Sequence, residues 1–333
     1  MVLESAIAAG ARLARRGEFT LRAFLNGRLD LSSAEAVIDL VDAKTERSAA
    51  DAFRRLSGGL SRAFEAFYAS AIDISARVEH ALDISEDELP PEFASGIMSS
   101  LDDLAGDLQD HLRTAREGKL LREGALVVLA GPPNAGKSSL LNALLGESRA
   151  IVSPLAGTTR DSIEEWLEVG GWPVHLADTA GLRKSSDPIE AEGVARTHDL
   201  AARADIVLAL DCDIPGAMRI HAKCDLGPGD GLAVSAKTGE GLVELKDAIA
   251  TRLSELSAKA DGSTGADVTT RQRELLEIAL AALSRARGFL SSSEWVLAAG
   301  ELRSAAEAIG RLIGKVYSSD LLDALFSRFC VGK

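Results

Sequence analysis

The stretch that most limits what this chain can fold into is Gly131-Pro132-Pro133-Asn134-Ala135-Gly136-Lys137-Ser138. An apolar run, Ala125–Ala130, precedes it, and the apolar residues of 140–145 follow with helical character. Strand, glycine-rich loop and helix in that order are the setting of a phosphate-binding P-loop. Two glycines let the backbone curl so that its N–H groups point inward at an anion, and the helix N-terminus adds partial positive charge. In such a loop Lys137 reaches the β- and γ-phosphates, and Ser138 supplies a hydroxyl for a magnesium ion.

The rest of the composition fits an intracellular nucleotide-binding protein. The chain has 333 residues, enough for two or three domains, and 46% of them are hydrophobic. A net charge of −13 argues against general nucleic-acid binding unless a local basic patch or partner provides it. Cys212, Cys224 and Cys330 are far apart and form no metal-ligand or disulfide pattern. No apolar run nears the ~20 residues of a membrane span, and the N-terminus lacks the order of a signal peptide. A cytoplasmic location is the expectation.

Along the chain, residues 1–28 read as a short arginine-bearing arm. Helical periodicity starts at Leu31, where Ser32 and Glu35 have capping-box spacing and Ala34, Val37, Ile38 and Val41 fall on one face. Helices are expected through 49–56, from Gly59 to Leu82 and over 97–117, with a loop at the acidic and proline residues of 86–91. A change of composition at 118–124 opens an α/β unit. Its expected strands are Ala125–Ala130, 163–169, 174–177, Ile206–Leu210 and Leu232–Val234, and its expected helices cover 189–203 and 242–256; this alternation argues a mostly parallel sheet. After a flexible joint at 262–265 helices return. Thr269 and Gln272 have capping-box spacing, a stripe of Leu275, Leu276, Ala279 and Leu283 follows, and further helices are expected over 294–312 and 319–329. The economical architecture is an α/β P-loop domain inserted into an all-α helical domain. The expected boundaries are 1–29, 30–120, 121–257 and 258–333.

Three further strings follow the P-loop. Gly157-Thr158-Thr159-Arg160-Asp161 lies on a loop before a strand, where a threonine can sense a γ-phosphate. Asp178-Thr179-Ala180-Gly181 follows a strand, placing a carboxylate near magnesium and the Gly181 N–H near the γ-phosphate. Ser235-Ala236-Lys237 follows the last strand, with backbone N–H groups for a guanine edge. Each is weak alone; in this order, each at a strand end, they point to a GTPase.

The chain also resembles the MnmE (TrmE) tRNA-modification GTPases. The matching pieces are 17–27 (GEFTLRAFLNG), 31–36 (LSSAEA), 133–142 (PNAGKSSLLN), 156–161 (AGTTRD) and 329–333 (FCVGK). The resemblance implies a dimer that joins a flavoprotein, MnmG, and installs an aminomethyl-type group on the wobble uridine of certain tRNAs from a folate one-carbon donor. It implies potassium-dependent GTP hydrolysis. Nucleotide contacts would come from Asn134, Ala135, Gly136, Lys137, Ser138 and Ser139, from Ser153, Pro154, Leu155, Ala156, Gly157, Thr158 and Thr159, from Asp178, Thr179, Ala180 and Gly181, and from Lys223, Asp225, Ser235, Ala236 and Lys237. Potassium would lie among Asn134, Ser153, Leu155 and Thr158, and magnesium on Ser138 and Thr159. Glu190 would orient the attacking water. Arg28 and Lys333 match positions near the folate pocket, and Cys330 matches the terminal cysteine.

The residues bear on this independently. Leu182 stands where Ras-like enzymes place a water-orienting Gln, so another group must act. Glu190 has the chemistry, contributing ~10²–10⁴-fold in such roles, as do its neighbours Asp187 and Glu192. Cys330 also reads as a small buried hydrophobe.

Two departures stand out. The guanine motif Asn-Lys-x-Asp reads Ala222-Lys223-Cys224-Asp225 here, which removes hydrogen bonds worth ~1–3 kcal/mol when left unpaired. Only 211–221 separate the fourth expected strand from this motif, so a crossover helix is expected to be missing. Within 1–29 only the last residues of the folate-binding domain match. A nucleotide-binding scaffold with little turnover and a ribosome-assembly GTPase are the competing readings.

Overall fold

The computed structural model describes residues 2–84, 92–147, 165–178, 203–257, 268–327 and 329. The chain divides into two units. One comprises 1–42, 49–118 and 260–333, and the other 43–48 and 119–259.

The first unit is helical. Among the described residues it carries α1 (Val2–Ala8), α2 (Glu18–Leu25), α3 (Leu31–Asp42), α4 (Glu46–Leu56), α5 (Gly59–Asp83) and α6 (Phe93–Glu123), the fourth and sixth of which extend into segments grouped with the second unit. Apolar residues at helical spacing build its core: Phe64, Phe67, Ala71, Ile74 and Val78 of α5, and Ile97, Leu101, Leu104 and Leu108 of α6. Such a stripe faces inward because the intervening residues are polar. The N-terminus of α5 follows Gly58, whose φ of 83° is the left-handed conformation glycine takes without steric cost.

The start of α3 differs from the expected capping box. Asp30 does the capping, its Oδ1 accepting from the Ser33 N–H at 2.7 Å. Glu35 is thereby released to pair elsewhere. Val41, expected on the apolar face, is exposed. The helix expected to end at residue 117 continues to Glu123, and the composition change at 118–124 falls within its last two turns and the glycine after it.

The second unit holds β1 (Ala125–Ala130), α7 (Lys137–Glu147), β2 (Glu165–Val169), β3 (Trp172–Asp178), β4 (Ile206–Leu210), β5 (Met218–Ala222), β6 (Leu232–Val234) and α8 (Leu242–Ser257). The six strands lie in the order β2-β3-β1-β4-β5-β6. Only β2 and β3 are antiparallel; the remaining neighbours run parallel. β1 sits centrally, and Ala125, Val127, Val128 and Leu129 are all buried, as a strand covered on both faces requires.

Strand β5 was absent from the sequence expectation. It pairs with β4 in the register Leu208↔Met218, Ala209↔Arg219 and Leu210↔Ile220. Its first residue lies only two positions back along β4, so residues 211–217 close the parallel connection without a helix. That is how the expected missing crossover helix is accommodated.

The chain returns to the helical unit with α9 (Thr270–Ser291), α10 (Trp295–Ile313) and α11 (Ser319–Phe326). The expected capping box is present: the Thr269 side chain accepts from the Gln272 N–H, and the Gln272 side chain accepts from the Thr269 N–H at 2.9 Å. Leu275, Leu276, Ala279 and Leu283 are buried as expected. A smaller cluster joins Phe24 and Leu31 to Leu322, Phe326 and Phe329. The helix expected over 319–329 ends at Phe326. The 86–91 loop, the helix expected over 189–203 except for its last residue, and the joint at 262–265 lie outside the described residues. The α/β unit is therefore inserted, in sequence, between the two parts of an all-α unit.

Candidate nucleotide-binding site

The P-loop takes its shape from its glycines. Gly131 has a φ of 157°, and a Cβ there would lie 2.6 Å from the Leu210 main-chain oxygen on neighbouring β4. Gly136 has a φ of 100° and opens α7. Between them Asn134 is left-handed at φ 63°, a conformation Asn tolerates better than most residues. The loop then ends at the N-terminus of α7, where partial positive charge favours an anion.

Lys137 is buried, and its ammonium donates to the main-chain oxygens of Gly131 at 2.9 Å and Pro132 at 2.8 Å. The cation is thus held against the loop that would carry the phosphates. Ser138 and Ser139, in the first turn of α7, are exposed. Asp178 ends β3 in register with Leu129, two residues before Gly131.

The second wall comes from the ends of β5 and β6. Lys223, left-handed at φ 58°, donates from Nζ to the Asn134 main-chain oxygen at 2.6 Å. Asp225 lies on the 3₁₀ turn Cys224–Leu226, and its Oδ1 accepts from the Ser235 hydroxyl at 2.7 Å. The same hydroxyl oxygen accepts from the N–H groups of Lys237 at 3.3 Å and Thr238 at 3.2 Å. Ser235 is fully buried, so its hydrogen bonds fix both the turn that carries Asp225 and the loop that carries Ala236 and Lys237.

These walls enclose a cavity of about 440 Å³ lined by Ala135, Gly136, Ser139, Leu140, Ala222, Lys223, Asp225, Leu226, Val234, Ser235, Ala236 and Lys237. Its size falls within the range of small-molecule pockets. Five of the candidate residues from the P-loop and the 223–225 motif (Ala135, Gly136, Ser139, Lys223 and Asp225), together with all three of 235–237, therefore line one cavity. Ala222 lines the cavity where the usual motif carries an amide side chain. Leu140, Leu226 and Val234 were not singled out from sequence; their only signal was adjacency to the motifs.

Magnesium prefers oxygen donors and commonly takes few from protein when phosphates supply the rest. The Ser138 hydroxyl has that chemistry and stands in the first turn of α7, directly after the P-loop. Among the described residues no group of three or more His, Cys, Asp or Glu side chains forms a metal cage. Ser153, Pro154, Leu155, Ala156, Gly157, Thr158, Thr159, Thr179, Ala180, Gly181, Glu190, Cys330 and Lys333 lie outside the described residues. Arg28 lies in the helical unit, where it lines a separate hollow of about 410 Å³ with Phe24, Asp30, Glu65 and Tyr317. No described helix is long and apolar enough to cross a membrane.

Comparison with known proteins places this geometry. A family model described as the MnmE helical domain matches residues 31–330, so its two ends bracket the inserted α/β unit. The tRNA modification GTPase MnmE of Symbiobacterium thermophilum is 42% identical over 370 aligned positions, covering 100% of this chain and 79% of that protein. The tRNA modification GTPase MnmE of a Methylobacterium species is 45% identical, covering 97% and 77%. Among solved structures, the G domain of the T. maritima FeoB iron transporter is 26% identical over 40% of this chain and 98% of its own, with a TM-score of 0.29. With the helical-domain match running almost the length of the chain and relatives this similar over nearly all of it, the chain belongs to the MnmE family.

Proposed function

We propose that the chain binds and hydrolyses GTP and acts in tRNA modification, at the wobble uridine. The observation that carries this reading is the single cavity formed by the P-loop and the 223–225 and 235–237 motifs, held together by the Lys223–Asn134 hydrogen bond. Phosphoryl transfer needs little covalent chemistry from protein; it needs positioning and charge stabilisation. The P-loop amides and Lys137 hold the β- and γ-phosphates, and Asp225 accepts from the guanine N1–H and 2-amino group. Ser138 and Thr159 would hold magnesium, and Asn134, Ser153, Leu155 and Thr158 would hold potassium. Bound there, these cations would supply positive charge beside the phosphate oxygens. Gly181 offers its N–H to the γ-phosphate, and Glu190 orients the attacking water.

The partners in this reading are a flavoprotein similar to MnmG, tRNA reached through that complex, and a second copy of the chain. Arg28 and Lys333 are the candidates for a folate one-carbon donor, and Cys330 for the terminal motif. The location is the cytoplasm. The test is phosphate release from GTP in potassium against sodium buffer. Faster release in potassium supports the reading, equal rates remove the potassium assignment, and full turnover by Glu190→Ala removes that of Glu190.

A second reading is favoured by Ala222: a nucleotide-binding scaffold with little turnover. Tight GDP binding with negligible hydrolysis in potassium would support it. Co-sedimentation with ribosomal subunits, and not with a flavoprotein, would instead support a ribosome-assembly GTPase.

A further inference from the structure

The base side of the nucleotide cavity rests on an unusual support. Parallel strands normally need a connection of about a dozen residues or more, and a helix in that connection would brace the strand ends. Between β4 and β5 residues 211–217 contain none. Two side chains occupy the junction instead.

Asp211 is left-handed at φ 49°. Its N–H donates to the Ile220 oxygen at 2.9 Å, and its Oδ1 accepts from the Ala222 N–H at 3.2 Å. The same Oδ1 lies 3.2 Å from His221 Nδ1. The other ring nitrogen, Nε2, lies 2.8 Å from the main-chain oxygen of Gly227. Gly227 follows the 3₁₀ turn that carries Asp225. One imidazole therefore spans from the end of β4 to the far side of the base-reading turn.

Gly229 closes around the ring. A Cβ there would lie 2.2 Å from His221 Nδ1, so no side chain fits beside the imidazole. A neutral ring carries one N–H and can donate to Gly227 or to Asp211, whereas an imidazolium donates to both.

We propose that protonated His221, shared between the Asp211 carboxylate and the Gly227 carbonyl, is a positioning residue that holds the 223–225 turn ready for the base, so that guanine-nucleotide affinity falls when the ring loses its proton. This rests on the GTP-binding reading of the adjoining cavity. The surrounding charges agree with it. Asp211 faces the ring from the β4–β5 connection, and Asp230 adds negative charge from the loop before β6. Arg219, on the same strand, is paired with Asp213. Cys212 lines the same hollow, and burial pushes its thiol up, so it stays neutral. The Gly227 carbonyl first, and Asp211 second, hold the imidazole above the ordinary histidine range. The cation's contribution is thus complete below the ordinary histidine value and is lost as pH rises through the raised one.

The test is binding of a fluorescent GDP analogue to the full chain from about pH 6 to about pH 8.5, bracketing a raised histidine. Wild type is compared with His221→Ala and His221→Gln, and the ratio of affinities at each pH cancels the titration of the nucleotide's own phosphates. Wild type should hold an advantage of about three- to tenfold at the acid end, the effect of one hydrogen bond. That advantage should shrink at the alkaline end, toward the level of His221→Gln, because the neutral ring keeps one donor. His221→Gln, which keeps a neutral donor, should lie between the other two at low pH. A constant ratio across the range overturns the proposal. Failure of wild type to bind any guanine nucleotide overturns the reading of the cavity instead. The clamp is then decided by proton NMR: a ring titrating at the ordinary histidine value, with no accompanying shift of the 224–227 amides, overturns it.

Discussion

Lys223 Nζ donates to the main-chain oxygen of Asn134 across 2.6 Å and so ties together two loops 89 residues apart in sequence. One loop faces the phosphates in the proposed reading and the other faces the base. The tie sets the width of the cavity between them, since Lys223 and the neighbours of Asn134 both line it.

Lys223→Ala should therefore loosen the site without unfolding the unit. The lysine is exposed, so its removal leaves no buried charge behind. One hydrogen bond of this kind is worth about 0.5–1.5 kcal/mol net, equivalent to about a two- to twelvefold weaker affinity for GDP. Calorimetric titration with GDP reads the affinity, and an unchanged melting temperature separates the effect from a stability defect.

Ala222→Asn should act in the opposite direction. Ala222 lines the cavity and its N–H is already engaged by Asp211, so an amide side chain added there can project toward the base without disturbing that bond. Restoring polar partners for guanine groups otherwise left unpaired is worth about 1–3 kcal/mol, or about 5- to 150-fold in affinity. The gain should be larger for GDP than for ADP. Equal gains for both nucleotides would show that position 222 does not read the base.

The sequence made some features of this molecule legible because one local rule decided them. The P-loop needs glycines at fixed places, and Gly131 and Gly136 adopt backbone angles that suit only glycine. Strands β1, β4 and β6 were bounded correctly because apolar residues fill them between loop residues. Strand β5 was missed for a physical reason. Met218, Arg219, Ile220, His221 and Ala222 mix apolar and polar types, since His221 is held by Asp211 and Gly227 rather than by packing alone. The first turn of α3 was misread because Glu35 has the spacing of a cap but a distant partner, and a distant partner leaves no local pattern. The cavity was legible as separate motifs; the hydrogen bond that joins them across 89 residues was not.

Arg55 gives a stability prediction. Its guanidinium is almost wholly buried, with Nη1 2.6 Å from Asp39 and Nε 3.0 Å from Asp51. Burial alone would lower its proton affinity, but the two carboxylates more than offset this and hold the arginine charged. Arg55→Ala would leave two carboxylates facing each other, Asp51 fully buried. Breaking such a buried arrangement from one side costs about 3–5 kcal/mol. Arg55→Met with Asp39→Asn and Asp51→Leu should recover much of the loss, because no buried uncompensated charge then remains; Arg54, which also pairs with Asp51, is exposed to water. Thermal unfolding of the three proteins checks both halves.

Glu35 tests how the two sequence-distant parts of the helical unit hold together. Its carboxylate accepts from Arg271 Nε at 2.5 Å and Nη2 at 3.0 Å, and from Gln272 Nε2 at 2.9 Å. Gln272 is fully buried and also donates to the Ser32 hydroxyl at 3.0 Å, while its own oxygen caps α9. Glu35→Ala removes the acceptor that a buried amide and a half-buried guanidinium share. The cost should be about 1–3 kcal/mol for the unsatisfied donors, seen as a lower urea midpoint with an unchanged slope if the folded state keeps its compactness. Glu35→Gln keeps the shape and one acceptor but loses the charge opposite Arg271, so it should fall between wild type and alanine. A Glu35→Ala protein with an unshifted midpoint would mean that water replaces the carboxylate at no cost, and that the shared apolar core and the Arg287–Asp102 and Arg303–Glu79 pairs are enough to join the two parts.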